Sequence, residues 1–245
     1  MELKKNTILS QLEKQILPLQ GLKKLRTDND VNINCKAIEQ VFPNNAFPIG
    51  CTHEYITGCF EDAAPTNGFI ACIIGKLMRL GGVCIWISTA RHLYPPSLIR
   101  FNVLPEHIIF IDLKHEKDVL YVTEEALKCN KVTAVIAEIK NLNLKESRRF
   151  QLAAEQSRVT GFIIRHQPKI INTIASVSRW RITSLPSKLE HGMPGVGFPR
   201  WKVELLKIRN GTPSLWKLEW ANNNFNVITE HTAEAILNEE LRKVS

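Results

Sequence analysis

At 245 residues, 44% hydrophobic and 23% charged, the chain is long enough for one full α/β core with small additions and has the composition of a soluble globular protein. It contains no run of about 18 apolar residues, and Met1-Glu-Leu-Lys-Lys5 lacks an apolar signal core, which excludes a spanning helix and predicts a cytoplasmic protein. The net charge of +8 is concentrated: basic and acidic residues number 15 and 15 over 1–139, 15 and 5 over 140–220, and 2 and 4 over 221–245. A polyanion or an acidic protein is therefore expected as partner of one region, against the alternative of a solvated basic face.

Ile8, Leu9, Leu12 and Ile16 predict a helix over about 6–17, followed by a basic turn with Lys23, Lys24 and Arg26. The polar, asparagine-rich stretch 27–36 reads as a linker. It divides an N-terminal arm (1–36) from a core (37–221), and a helical tail (222–245) is expected to close the chain, with Ala233, Ile236 and Leu241 at helical spacing. Within the core, apolar strands are expected at His53–Thr57, Val83–Ser88, His107–Ile111, Val132–Ala137 and Thr160–Arg165. Helical patterns separate them at about Pro65–Leu80, Pro95–Phe101, Glu116–Cys129 and Leu144–Ser157. Strands apolar on both faces and alternating with helices predict a mainly parallel sheet covered on both sides.

Beyond residue 178 the pattern changes to period two, in Arg179–Thr183, Arg200–Arg209 and Leu215–Trp220, with a turn at Asn210-Gly211. These segments predict antiparallel edge strands at the C-terminal end, and the glycine-rich 188–197 predicts a loop. The six cysteines (Cys35, Cys51, Cys59, Cys72, Cys84, Cys129) form no C-x-x-C pair and read as buried small hydrophobes rather than metal ligands or disulfides.

The stretch Phe47–Gly58, continued to Gly68, has the order strand, glycine loop, apolar helix, which is the layout of a phosphate-binding P-loop. The groups for chemistry are missing. A functional P-loop places lysine and a hydroxyl after its last glycine, whereas Phe69 and Ile70 follow Gly68 here. The loop therefore reads as degenerate, with Gly58, Asn67 and Gly68 as its remnants. By resemblance to RecA-like ATPases, Ala90 stands at the position of their catalytic glutamate after the second strand. A Walker-B-like Glu138 ends the fourth strand, where it is expected to be solvated. Without lysine, Mg²⁺ anchor or general base, no hydrolysis, cofactor or metal is expected. His53, His166 and His191 have no nucleophile arranged around them.

Three features resemble the RecA-like core: Phe47–Gly50 leading into the strand His53–Thr57, Ile87-Ser-Thr-Ala-Arg-His-Leu-Tyr-Pro95 after the second strand, and the spacing to Ile108-Ile-Phe. Within that fold the chain resembles the ImuA family of damage-induced mutagenesis proteins. That likeness runs through Trp86-Ile-Ser, Tyr94-Pro-Pro, Ser147-Arg-Arg-Phe-Gln-Leu-Ala-Ala-Glu155, Gly161-Phe-Ile-Ile-Arg165, Ser178-Arg-Trp-Arg181, Pro199-Arg-Trp-Lys-Val-Glu-Leu-Leu206 and Leu218-Glu-Trp220. The resemblance implies a RecA-like α/β fold and an accessory role in SOS-regulated translesion synthesis. The implied partners are ImuB, an inactive Y-family polymerase relative, and a second, DnaE-type polymerase, with RecA and the chain itself as further candidates. It also implies kinship with SulA division inhibitors, so inhibition of a division protein is the alternative function.

Candidate contacts for a partner or for DNA phosphates are Arg148 and Arg149 on a helix, and Arg179, Arg181, Arg200, Lys202, Lys207 and Arg209 on the late strands. Neighbours in a strand face opposite ways, so Trp180 and Trp201 are expected in the core and the basic residues outside. That arrangement provides nonspecific phosphate or acidic-protein contact without a stacking platform for bases.

Overall fold

A period-two burial pattern along β4 (Val132–Glu138) sets the architecture: Ala134 and Ile136 face one hydrophobic cluster, Val135 and Ala137 a second. The computed structural model describes residues 33–188 and 196–228. The helix expected over 6–17, the basic turn after it, His191 and the tail helix expected over 229–245 lie outside the described residues.

The described chain opens with a single helical turn, α1 (Lys36–Glu39), on the core. The strands β1 (Thr52–Thr57), β2 (Val83–Ser88), β3 (Ile108–Asp112), β4 and β5 (Thr160–His166) follow, with helices α2 (Ala63–Leu77), α3 (Glu116–Lys128) and α4 (Leu144–Ser157) interspersed. Short 3₁₀ turns at Pro95–Phe101 and Pro105–His107 take the place of a helix between β2 and β3. These five strands pair in parallel in the order β3-β2-β4-β5-β1. The sheet then continues through β6 (Ser178–Leu185), β7 (Arg200–Ile208), β8 (Ser214–Ala221) and β9 (Asn224–Val227), for nine strands.

Two expectations are corrected here. β6 is not purely an antiparallel edge strand, because it pairs in parallel with β1 (Tyr55 opposite Trp180) before β7–β9 add antiparallel. The proposed boundaries also fall inside the folded body. Ile33 and Cys35 are buried, and Asn222 and Asn223, both at positive φ, reverse the chain so that Phe225 packs 5.0 Å from Trp220 and 5.3 Å from Phe69. A four-residue strand with one large apolar residue carries too little periodicity to read in sequence.

α2 is buried almost all round, unlike the one-sided helices α3 and α4. It packs on the sheet against β1, β4 and β6 and against the turn Pro95–Phe101, and its Phe69 meets the rings of Tyr55, Trp180, Trp201 and Phe225. Close approach explains its glycines. A Cβ on Gly68 would lie 3.1 Å from the Trp201 ring, and one on Gly75 only 2.3 Å from the Phe101 carbonyl oxygen. Four of the cysteines are buried as expected, whereas Cys59 and Cys129 are exposed.

β1 is fully buried yet polar, and its polar groups are matched apart from the Tyr55 hydroxyl, which is buried without a hydrogen-bond partner among the described residues. Thr52 bonds Gln151 through both its amide (2.9 Å) and its hydroxyl (2.6 Å). His53 donates from Nε2 to the Pro48 carbonyl (2.8 Å) and accepts at Nδ1 from Ser178 (2.6 Å), whose Oγ accepts from the Trp180 indole (2.6 Å). Burial pushes the His53 pKa down to about 4, so the ring is neutral in the core. The Glu54 carboxylate receives Arg165 of β5 at 3.0 Å and Arg179 of β6, and both guanidiniums also bond the segment 170–172.

Glu54→Gln would leave Arg165, 2% exposed, without its counter-charge. A stability loss of about 3–5 kcal/mol is expected, read as a lower urea midpoint. A midpoint indistinguishable from wild type would contradict the role given to this carboxylate.

Candidate functional site

The C-terminal ends of the parallel strands form one rim, the position where open α/β sheets bind ligands. On that rim β1 leads into the loop Gly58–Asp62 and then directly into α2. The helix therefore starts ahead of the expected Pro65, and Asn67 and Gly68 are buried helical residues rather than loop remnants. Counting a G-x-x-x-x-G-K-[ST] pattern from Gly58 puts Ala63, Ala64 and Pro65 at the glycine, lysine and hydroxyl positions.

The loop is closed by its own side chain. Asp62 Oδ2 accepts from the Gly58 amide at 2.9 Å and the Cys59 amide at 3.2 Å. Backbone amides of this kind at a helix N-terminus suit a phosphate; here an internal carboxylate takes two of them and adds negative charge beside Glu61. Pro65 brings no amide hydrogen to the first turn.

At the neighbouring strand ends Glu138 is not solvated, contrary to expectation. It is 7% exposed, with Oε1 accepting from Trp86 Nε1 (2.8 Å) and Oε2 meeting His92 Nδ1 (2.9 Å) and His166 Nε2 (3.2 Å). Burial opposes ionisation, but the hydrogen bonds from His166, Trp86 and His92 together outweigh it and hold the carboxyl below the usual glutamate range. His166 Nδ1 lies 3.1 Å from Thr57 Oγ1, and Phe60 packs edge-on against His92 with centroids 5.7 Å apart.

The basic candidates are scattered rather than gathered, and most have their charge met within the chain. Arg179 is on Glu54, Arg200 bonds Glu219 (2.6 Å), Lys202 pairs with Glu204 (3.0 Å), and Arg209 approaches Glu155 (3.8 Å). Lys207 donates to the Ile174 carbonyl (3.2 Å), and its pKa is lowered by burial and by the nearby Arg179. Arg181 stands opposite Glu204 across the β6–β7 ladder, with its Nε buried and without a hydrogen-bond partner among the described residues. The tryptophans are internal as expected: Trp180, Trp201 and Trp220 are buried and Trp216 partly so.

α4 presents a different surface. Asn143 and Glu146 close a reciprocal cap at its start (2.9 and 3.0 Å), and Phe150, Ala153 and Ala154 anchor it to the sheet. Lys145, Arg148, Arg149 and Leu152 follow helical spacing on the opposite face, all exposed, and Leu144 is exposed beside them. Arg149 reaches Glu124 of α3, whereas Arg148 has no partner among the described residues.

Sequence reasoning missed Glu54, Asp62, Trp86, His92 and Arg165. A charge inside an apolar strand was the available signal for Glu54 and Arg165; the other three become neighbours of the rim only through topology.

The fold defines the class: a RecA-like α/β protein with an antiparallel C-terminal extension. It is similar to a KaiC-like protein from the hyperthermophilic archaeon Pyrococcus horikoshii OT3, with a TM-score of 0.54, 14% identity, and coverage of 82% of this chain and 99% of that one. No protein-family model matches the chain. It is 32% identical over 195 residues to Protein ImuA of Caulobacter vibrioides, in strains NA1000 / CB15N and ATCC 19089 / CIP 103742 / CB 15, spanning 75% of this chain and 80% of the relative. The chain belongs to the ImuA family. Among the described residues no helix is long and apolar enough to cross a membrane.

Proposed function

We propose that this chain is a non-catalytic, cytoplasmic accessory protein of SOS-induced, error-prone translesion DNA synthesis. It recruits a mutagenic polymerase complex, an ImuB-like Y-family relative with a DnaE-type polymerase, to damaged DNA. Family membership supports the setting. The observation that carries the non-catalytic part is the Asp62 carboxylate on the Gly58 and Cys59 amides, groups a triphosphate would need. A lysine and a magnesium-binding hydroxyl are lacking at Ala64 and Pro65, and a general base at Ala90.

The recruiting surface in this reading is the outer face of α4. Its mixture of cations and apolar side chains fits an acidic, partly apolar protein surface better than bare phosphate. Direct DNA contact through the late strands is disfavoured, because most of their basic side chains already have partners. RecA is a further candidate partner for the same face.

Purified protein with Mg-ATP, with or without single-stranded DNA, is expected to release no phosphate above background. Turnover that disappears in Glu138→Gln would contradict the non-catalytic reading. The double variant Arg148→Glu, Leu152→Asp is expected to keep the wild-type circular dichroism and melting curve. Its affinity for the Y-family partner should fall at least about tenfold, about 1.4 kcal/mol, and damage-induced mutation should drop towards that of cells lacking the protein. Wild-type mutation frequency with a folded variant would overturn the assignment of this face.

A further inference from the structure

Three side-chain donors meet where β2, β4 and β5 end. His92 comes from the segment after β2, Glu138 is the last residue of β4, and His166 is the last of β5. Their ligand atoms all lie within 4.8 Å of one another. A four-coordinate ion with bonds of about 2.0–2.1 Å has ligand–ligand edges of roughly 3.3 Å. The His92–Glu138 and His166–Glu138 separations are 2.9 and 3.2 Å, close to that edge, and the two imidazole nitrogens, within 4.8 Å of each other, would close on an ion bound between them.

We propose that His92 Nδ1, Glu138 Oε2 and His166 Nε2 form a binding site for one divalent transition-metal ion of the zinc class. Two imidazoles and one carboxylate suit zinc, cobalt or nickel; magnesium and calcium take all-oxygen sets. The surroundings match those of ligated residues. Trp86 Nε1 holds the second carboxylate oxygen at 2.8 Å, and the other ring nitrogen of His166 has Thr57 Oγ1 at 3.1 Å. When the ion binds, His166 donates from Nδ1 to Thr57 and offers the Nε2 lone pair to the metal. The hydrogen bonds from the two rings to Glu138 give way to metal–ligand bonds.

Access exists on one side. Glu138 is buried, whereas the side chains of His92 and His166 are 29% and 22% exposed, and His92 lines a groove with Pro65, Tyr94 and Phe198. Three protein ligands leave a coordination position for water or for a donor from a partner. The ion would tie together three strand ends on the rim of the parallel sheet. This inference does not depend on the recruiting role.

The test is titration of the full-length, untagged, metal-stripped protein with Co²⁺, followed by displacement with Zn²⁺. The readouts are visible d–d absorption and metal retained after desalting. One equivalent with a four- or five-coordinate Co²⁺ spectrum is expected in the wild type. Glu138→Gln and His92→Gln should each lower affinity at least tenfold, and Thr57→Val roughly tenfold through the outer shell. His92 is the more exposed ligand, so His92→Gln decides the matter if Glu138→Gln fails to fold. Absence of a retained equivalent, or full retention in a folded His92→Gln, would overturn the site and leave the trio as a hydrogen-bonded clasp.

Discussion

A single buried carboxylate, Glu54, holds the middle of this sheet together. It sits on β1, flanked by β5 and β6, and binds Arg165 from one and Arg179 from the other. β1 is the strand at which the parallel half meets the C-terminal extension. The two guanidiniums that meet Glu54 also fix the segment 170–172, through the Ile170 and Asn172 carbonyls and the Asn172 side chain. Burying one anion between two cations costs desolvation, which is offset here by the hydrogen bonds of both guanidiniums to Glu54 and the segment 170–172, although Arg165 Nε is left without a partner among the described residues. The rim of the sheet inherits its geometry from this centre, because Thr57 and His166 end the same two strands that Glu54 and Arg165 pin.

The same economy of charge recurs outward from Glu54. Asp62 satisfies loop amides, Glu138 gathers an indole and two imidazoles, and Glu204, Glu219 and Glu155 meet most of the cations on the late strands. Internal matching takes up most of the late-strand cations, although the 140–220 region as a whole carries 15 basic against 5 acidic residues. α4 stands apart in combining unmatched Arg148 with exposed Leu144 and Leu152 on a rigidly anchored helix. A helix held by its cap and by Phe150 gives a partner a preformed surface, so little ordering is needed on docking.

The parallel core was legible because Val83–Ser88, Val132–Ala137 and Thr160–Arg165 are apolar runs of strand length between amphipathic helices. The extent of the glycine loop before α2 was not, because Asn67-Gly68 reads locally as its end although both residues lie inside the helix. Packing against Trp201 and Phe101 keeps those residues helical and favours glycine there, so tertiary contact overrides propensity. That misplacement hid the role of Asp62. The His92–Glu138–His166 group was invisible for another reason: its members stand 46 and 28 positions apart and meet only because β2, β4 and β5 end together. β9 escaped notice because four residues are too few for the alternation of Phe225 and Val227 to be read.

If this RecA-like body serves as a docking platform, the outer face of α4 is its contact surface. Hydrogen–deuterium exchange of the protein alone and mixed with the proposed Y-family partner is the direct measurement. Added protection on complex formation should concentrate in residues 144–157 and the adjoining part of α3. Protection confined to 178–185 and 200–208, with α4 exchanging as in the free protein, would contradict it.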